Sequence, residues 1–216
     1  MESNGNVTSM VLEDINNRQK GLVGDFSEHS AVVVGLGGIG NWIAVDLALI
    51  GLGTLILFDN DKVEASNLNR TLFKLSHIGK LKVSAVRELI SERRKDTIVI
   101  PNPELFTIEH LKKFEGIDYL FDCSDTSILK DSLSQLKNFS TKYIKLGYDG
   151  FEATIATDFN SGQWGSDPSN YSTVPSFFGT PQILSALGII ELLLIKKQVA
   201  KTVNLNVKKI LTQLSN

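Results

Sequence analysis

The chain has 216 residues, 42% apolar and 21% charged, with a net charge of −2 and a pI of about 5.9. That length suits a single domain, 1–216, with an ample core, and the charge balance gives no reason to expect nucleic acid as a partner. A single cysteine, Cys123, argues against a disulfide framework; the most apolar stretch, Ile183–Ile195, contains Glu191 and is too short to span a bilayer; and the polar start, Met1–Asn6, lacks a signal region, so a cytoplasmic protein with no membrane contact is expected.

Residues 1–8 read as a loose tail, followed by a helix over about 10–20 that carries Arg18. The apolar run Ala31-Val32-Val33-Val34 reads as a buried parallel strand. It enters Gly35-Leu36-Gly37-Gly38-Ile39-Gly40, and Ile39, Ile43 and Leu47, with Ala44 and Ala48, predict an amphipathic helix after it. A second strand, Thr54–Phe58, ends in Asp59-Asn60-Asp61. The polar loop Ser66-Asn67-Leu68-Asn69-Arg70 follows, then Gly79-Lys80-Leu81-Lys82, a helix over about 82–95 and a strand at 97–101.

Residues 31–101 thus make a nucleotide half and 102–216 a second half. The second half reads as a short helix near 107–114, a strand Asp118–Cys123, a helix near 127–137 and a strand Lys142–Leu146. Glu152–Thr157 alternates and predicts an antiparallel strand. A Gly-, Ser- and Asn-rich loop over 159–176 leads to a helix from about Pro181 to Lys197, a strand Val203–Val207 and a short helix Lys208–Leu214. Repeats are absent. The alternation predicts a Rossmann-like, mainly parallel sheet with helices on both faces and a partly antiparallel C-terminal half.

The glycine loop has a direct physical reading. Glycines permit a tight turn and close backbone approach to a phosphate, which the N-terminus of the next helix favours. Asp59 lies about 20 residues beyond the last loop glycine, where a carboxylate accepts hydrogen bonds from ribose hydroxyls. NAD and ATP both fit these features. The cations Arg70, Lys80 and Lys82, with Asn67 and Asn69 beside them, favour a triphosphate. The plainer alternative for that cluster is a solvated loop before a helix.

The ordered set of the glycine loop, Phe58–Arg70 and Gly79–Lys82 resembles the adenylation domain of the ubiquitin-activating-enzyme family, whose bacterial branch includes the ThiF and molybdopterin-synthase adenylyltransferases. Asn17-Arg18-Gln19 resembles that family's Asn-Arg-Gln element, and Asp118–Thr126 its fourth-strand segment, which ends in an aspartate. The match runs from about residue 12 to about residue 198. The resemblance implies a single ThiF-type adenylation domain. It implies ATP bound by Gly35, Gly37, Gly38, Gly40, Asp59 and Asp61, with Asn67, Arg70 and Lys82 on the phosphates. It further implies Mg2+ on Asp125, and Arg18 acting from the neighbouring subunit of a homodimer. On the residues alone, Arg18 could be an ordinary surface arginine and Asp125 the N-cap of the next helix.

The departures narrow the chemistry. With one cysteine, the family's two Cys-x-x-Cys zinc pairs cannot form. The segment Gly147–Pro181, where a transfer cysteine is expected, has none. Cys123 reads as a small core residue in an apolar strand. Thr71 stands where the family usually has glutamine. Adenylation needs no protein nucleophile, so the implied activity is ATP-dependent adenylation of a carboxylate. The implied substrate is the C-terminal glycine of a ubiquitin-like or sulfur-carrier protein, with the 159–176 loop, carrying Trp164 and Tyr171, either covering that tail or simply exposed. The alternative is a non-catalytic pseudoenzyme that partners an active homologue; an NAD-dependent oxidoreductase ranks third.

Overall fold

The computed structural model describes residues 15–19, 21–114, 116–125, 140–157, 175–194 and 201–213. The expected tail, the helix near 127–137 and nearly all of the 159–176 loop lie outside them. Seven strands form one sheet: β1 (Ser30–Val34), β2 (Thr54–Phe58), β3 (Ile98–Asn102), β4 (Tyr119–Asp122), β5 (Lys142–Asp149), β6 (Glu152–Ala156) and β7 (Thr202–Asn206). Their spatial order is β3-β2-β1-β4-β5-β6-β7. The first five are mutually parallel, and β6 and β7 continue the sheet antiparallel. The mainly parallel, Rossmann-like architecture with an antiparallel C-terminal part is therefore present.

The strand pleat sorts side chains between two cores. Ala31, Val33, Leu55, Leu57, Phe121, Ile144 and Leu146 face α1 (Gly40–Leu49), α2 (Lys82–Ser91) and α4 (Gly179–Ile189). Val32, Val34, Ile56, Phe58, Leu120 and Tyr143 face the other way. There Phe106 and Phe114, flanking α3 (Ile108–Lys113), pack edge-on against Phe58. A last helix, α5 (Val207–Gln213), follows β7.

Two expectations change. The helix after the glycine loop is not amphipathic: Asn41, Ile43, Ala44, Val45, Leu47 and Ala48 are all buried. It lies between the sheet and both α2 and α4, which leaves Leu49 as its one exposed residue and little face to keep polar. The helix expected over 181–197 begins at Gly179 and passes at Ile190 into a π turn, Ile190–Leu194. Glu191 is buried in that turn; its Oε2 pairs with Lys201 at 2.9 Å, while its Oε1 is buried with no hydrogen-bond partner among the described residues.

In the order β3-β2-β1-β4-β5 the chain direction of growth reverses between β1 and β4. Ligands of open parallel sheets bind in the crevice at that switch, beyond the carboxyl ends of the strands. The glycine loop, Asp59 and the 122–125 segment all leave the sheet at this edge.

Candidate functional site

The glycine loop is tightly folded. Gly35 has φ +79°, and its N–H donates to the Phe58 carbonyl at 2.8 Å. A Cβ on Gly40 would lie 1.8 Å from the Gly35 oxygen, so only glycine fits where α1 begins. At Gly37 a Cβ would meet nothing within 4 Å, leaving open space for an incoming group. Asn41 braces the loop: its amide donates to the carbonyls of Gly37 and Gly38, and its oxygen accepts from Leu72 N–H at 2.9 Å. It is fully buried. Asn41 was not among the sequence candidates, because an asparagine just after a loop glycine looks like ordinary helix-start chemistry. Its available signal is its place on a helix whose one other polar residue is Asp46.

Asp59 is the second brace. Its Oδ2 accepts from Leu36 N–H at 2.7 Å and its Oδ1 from Asp61 N–H at 2.8 Å. The Lys82 ammonium stands 3.7 Å from Asp59 and donates to Asp61 at 2.8 Å. Burial pushes the Asp59 carboxyl above the usual carboxylate range; Lys82 and the two backbone donors act against that rise. Lys82 is held there because the 62–81 loop closes on itself: Lys82 N–H donates to Asp61 O at 2.9 Å, and Val63 N–H to Lys80 O at 2.9 Å. Lys80 is not brought to the site. It turns along α2 and pairs with Glu88 at 2.7 Å.

Within the polar loop, Asn67 closes a 3-10 turn, accepting from Glu64 N–H at 3.1 Å. Arg70 donates to the Ser66 carbonyl at 2.6 Å and to the Asn69 side-chain oxygen at 3.0 Å. Among the described residues it has no carboxylate partner, so its charge is uncompensated and can receive an anion. Trp42 of α1 holds this stretch to the glycine-loop helix through its ring N–H and the Arg70 carbonyl at 3.0 Å.

At the end of β4, Cys123 N–H donates to Val34 O at 2.8 Å, fastening this segment to β1. Asp122 is buried, paired with Lys145 at 3.1 Å and accepting from Tyr143 at 3.2 Å and from the Ser124 hydroxyl at 2.6 Å. Asp125 follows, exposed at the site edge. Among the described residues no group of three or more metal-type ligands gathers; Asp125 stands as a single carboxylate. Burial pushes the Cys123 thiol far up, which keeps it a thiol and a poor nucleophile.

Arg18 is exposed and stands apart from all of these. Its neighbour Gln19 donates to the Ile50 carbonyl at 2.9 Å, at the far end of α1 from the glycine loop. Asn16 accepts from buried Arg94, which also caps α1 through Leu49 O at 3.0 Å. A ten-residue helix is about 15 Å long, so Arg18 is docked at the opposite pole from its own glycine loop.

Residues 13–157 match the model of the ThiF family. Ubiquitin-like modifier-activating enzyme 5 of Rattus norvegicus is 34% identical over 161 residues, covering 67% of this chain and 38% of that protein. The tRNA threonylcarbamoyladenosine dehydratase of Bacillus subtilis is 36% identical over 104 residues, covering 47% and 41%. The chain thus spans well under half the length of these curated relatives. The crystal structure of E. coli MccB with ATP has a TM-score of 0.65 at 20% identity, covering 84% of this chain and 64% of that one. That is a likeness of fold.

Proposed function

The chain belongs to the ThiF family, and from that membership we propose that it adenylates a carboxylate. A carboxylate oxygen attacks the α-phosphorus of ATP, an acyl-adenylate forms and pyrophosphate leaves. The substrate this reading assigns is the C-terminal glycine of a ubiquitin-like or sulfur-carrier protein; one relative is named for activating a ubiquitin-like modifier. The observation that carries the proposal is the cation set at the carboxyl edge. Lys82 is buried beside Asp59, and among the described residues Arg70 has no carboxylate partner. A dinucleotide bound through backbone groups has little use for either; a triphosphate attacked at its α-phosphorus needs both.

The residues fit the nucleotide. The loop is open at Gly37, where N–H groups at the start of α1 can meet phosphoryl oxygens. Asp59 keeps lone pairs for ribose hydroxyls after accepting its two backbone donors, and Asp61 holds Lys82 in place. Asn67, Arg70 and Lys82 stabilise charge as the α-phosphorus is attacked. Asp125, a single carboxylate, would hold Mg2+, and the ion when bound would neutralise triphosphate charge. Arg18 would serve the site of a second copy in a homodimer, since its own is a helix length away. Cys123 takes no acyl group.

The test is ATP–pyrophosphate exchange with ubiquitin-like and sulfur-carrier proteins, intact or lacking the terminal glycine, and with peptide and small-molecule carboxylates as further arms. Exchange that requires the carboxylate is expected. Tighter calorimetric binding of NAD than of magnesium-ATP would overturn the reading. Binding of magnesium-ATP without exchange on any arm is the result a non-catalytic partner subunit requires.

A further inference from the structure

The mechanism above leaves one group at the glycine loop unused. Tyr148 lies near the end of β5, where Gly147, Tyr148 and Asp149 continue the strand by pairing with Thr154, Ala153 and Glu152 of β6. Its ring packs against the α1-side core. Its hydroxyl reaches over the glycine loop: a Cβ built on Gly38 would lie 2.3 Å from it. That hydroxyl is 2.6 Å from the Ser176 hydroxyl. Ser176 is in turn fixed from the polar loop, its carbonyl accepting from Asn69 at 3.0 Å, and Asn69 accepts from Arg70. Close by, Phe151 and Phe177 pack with ring centroids 5.0 Å apart, and Thr180 donates to Gly150 O at 2.7 Å. A phenol is therefore held over a glycine backbone by a network that ends at the arginine proposed to grip phosphate.

We infer that the Tyr148 hydroxyl is a phosphate contact of the site, donating to the α-phosphoryl group, with Ser176 as its positioning residue. The inference rests on the adenylation reading. With the ribose at Asp59, whose Oδ2 holds Leu36 N–H, the phosphoryl group attached to that ribose is the first to reach Gly37 and Gly38. Gly37 is open on that side, and the Tyr148 hydroxyl overhangs the next residue. A hydroxyl has one proton and two acceptor sites. When an anion arrives, Ser176 donates to the Tyr148 oxygen and Tyr148 donates to the phosphoryl oxygen. Both protons then have acceptors, and the anion gains a donor whose position is already fixed.

The test is calorimetric binding of adenosine, AMP and ATP to the wild-type chain and to Tyr148→Phe and Ser176→Ala. Phenylalanine keeps the packed ring and removes only the hydroxyl. Losing one hydrogen bond to a charged group should weaken AMP and ATP by roughly 10- to 100-fold. Adenosine, which lacks the phosphate, should bind Tyr148→Phe as it binds the wild type. Ser176→Ala should show the same phosphate dependence with a smaller loss, and it decides the matter if Tyr148→Phe does not fold. AMP binding within twofold of wild type in both variants would overturn this inference alone. An equal loss for adenosine and AMP would make Tyr148 a packing residue and overturn it as well. No binding of AMP or ATP to the wild-type chain would overturn the nucleotide site itself, and the contact with it.

Discussion

Replacing Lys82 with methionine isolates the electrostatic centre of the site. The side chains of Lys82 and Asp59 are 10% and 6% exposed, with Nζ 3.7 Å from Oδ2. At that separation and an effective dielectric of about 20, the attraction is about 4.5 kcal/mol. Removing one partner of a buried pair costs about 3–5 kcal/mol, because the other charge is left behind. The contact of Lys82 with Asp61, which is 64% exposed, adds little. Lys82→Met should therefore lower the unfolding free energy by about 3–4 kcal/mol near neutral pH. The cost should depend on pH. The folded-state pKa of Asp59 is raised, so the folded chain holds that proton more tightly than the unfolded one. The contribution of Asp59 to stability therefore falls as pH rises from the ordinary carboxylate value through the raised one. Without Lys82 the pKa rises further and the fall is larger, so the penalty should grow as pH rises above the ordinary carboxylate value of about 4. Urea unfolding across that range measures it, with Asp59→Asn/Lys82→Met expected to recover most of the loss. A penalty independent of pH, or a double variant no more stable than Lys82→Met, would refute the reasoning.

Asp125→Ala should abolish magnesium-dependent AMP formation with the fold intact; a fully active or unfolded variant would remove Asp125 from the metal role. If the loss were only that of an N-cap, stability alone would fall, by about 1 kcal/mol. Cys123→Ser should keep adenylation activity with some loss of stability, since burial holds the thiol protonated. A thioester trapped on Cys123 in a denaturing, non-reducing gel would contradict it. Arg18→Ala should lose activity with little change in folding, and mixing it with Asp59→Ala subunits should regain part of it, because a mixed dimer has one site with both residues. Pyrophosphate release after subunit exchange reads this out, and no recovery from confirmed mixed dimers would mean Arg18 does not act across an interface.

The parallel half of the fold was legible because buried parallel strands appear as unbroken apolar runs, as in Ala31–Val34 and Thr54–Phe58. The antiparallel Glu152–Ala156 was legible from alternation. Legibility failed where a long-range partner decides the outcome. The apolar run of β5 ends at Leu146, yet pairing with β6 carries the strand on to Asp149 and brings Tyr148 over the loop. Lys145 in a strand looks solvent-facing, but it is buried against Asp122 of the neighbouring strand, a pairing set by sheet order. Lys80 and Lys82 look equivalent in the sequence. Glu88 draws the first away, while the closing of the 62–81 loop buries the second.

The same long-range partners explain how a segment with four glycines becomes an ordered surface. Glycine loses more backbone freedom on folding than any other residue, so Gly35–Gly40 is costly to order and would be costlier to order at the moment of binding. Here that cost is met within the fold by groups from three separate elements. Asp59, from the end of β2, fixes the Leu36 N–H. Asn41, from the first turn of α1, fixes the Gly37 and Gly38 carbonyls. Tyr148, from β5, covers Gly38. With the Gly37 and Gly38 carbonyls engaged by Asn41, the loop cannot easily turn these peptide groups over, and Gly37 keeps open space beside it. A surface ordered in advance spends less of its interaction energy on its own ordering when a ligand arrives. On the nucleotide reading proposed above, the braces at Asp59 and Asn41 would therefore matter to phosphate affinity even if neither touched a phosphate.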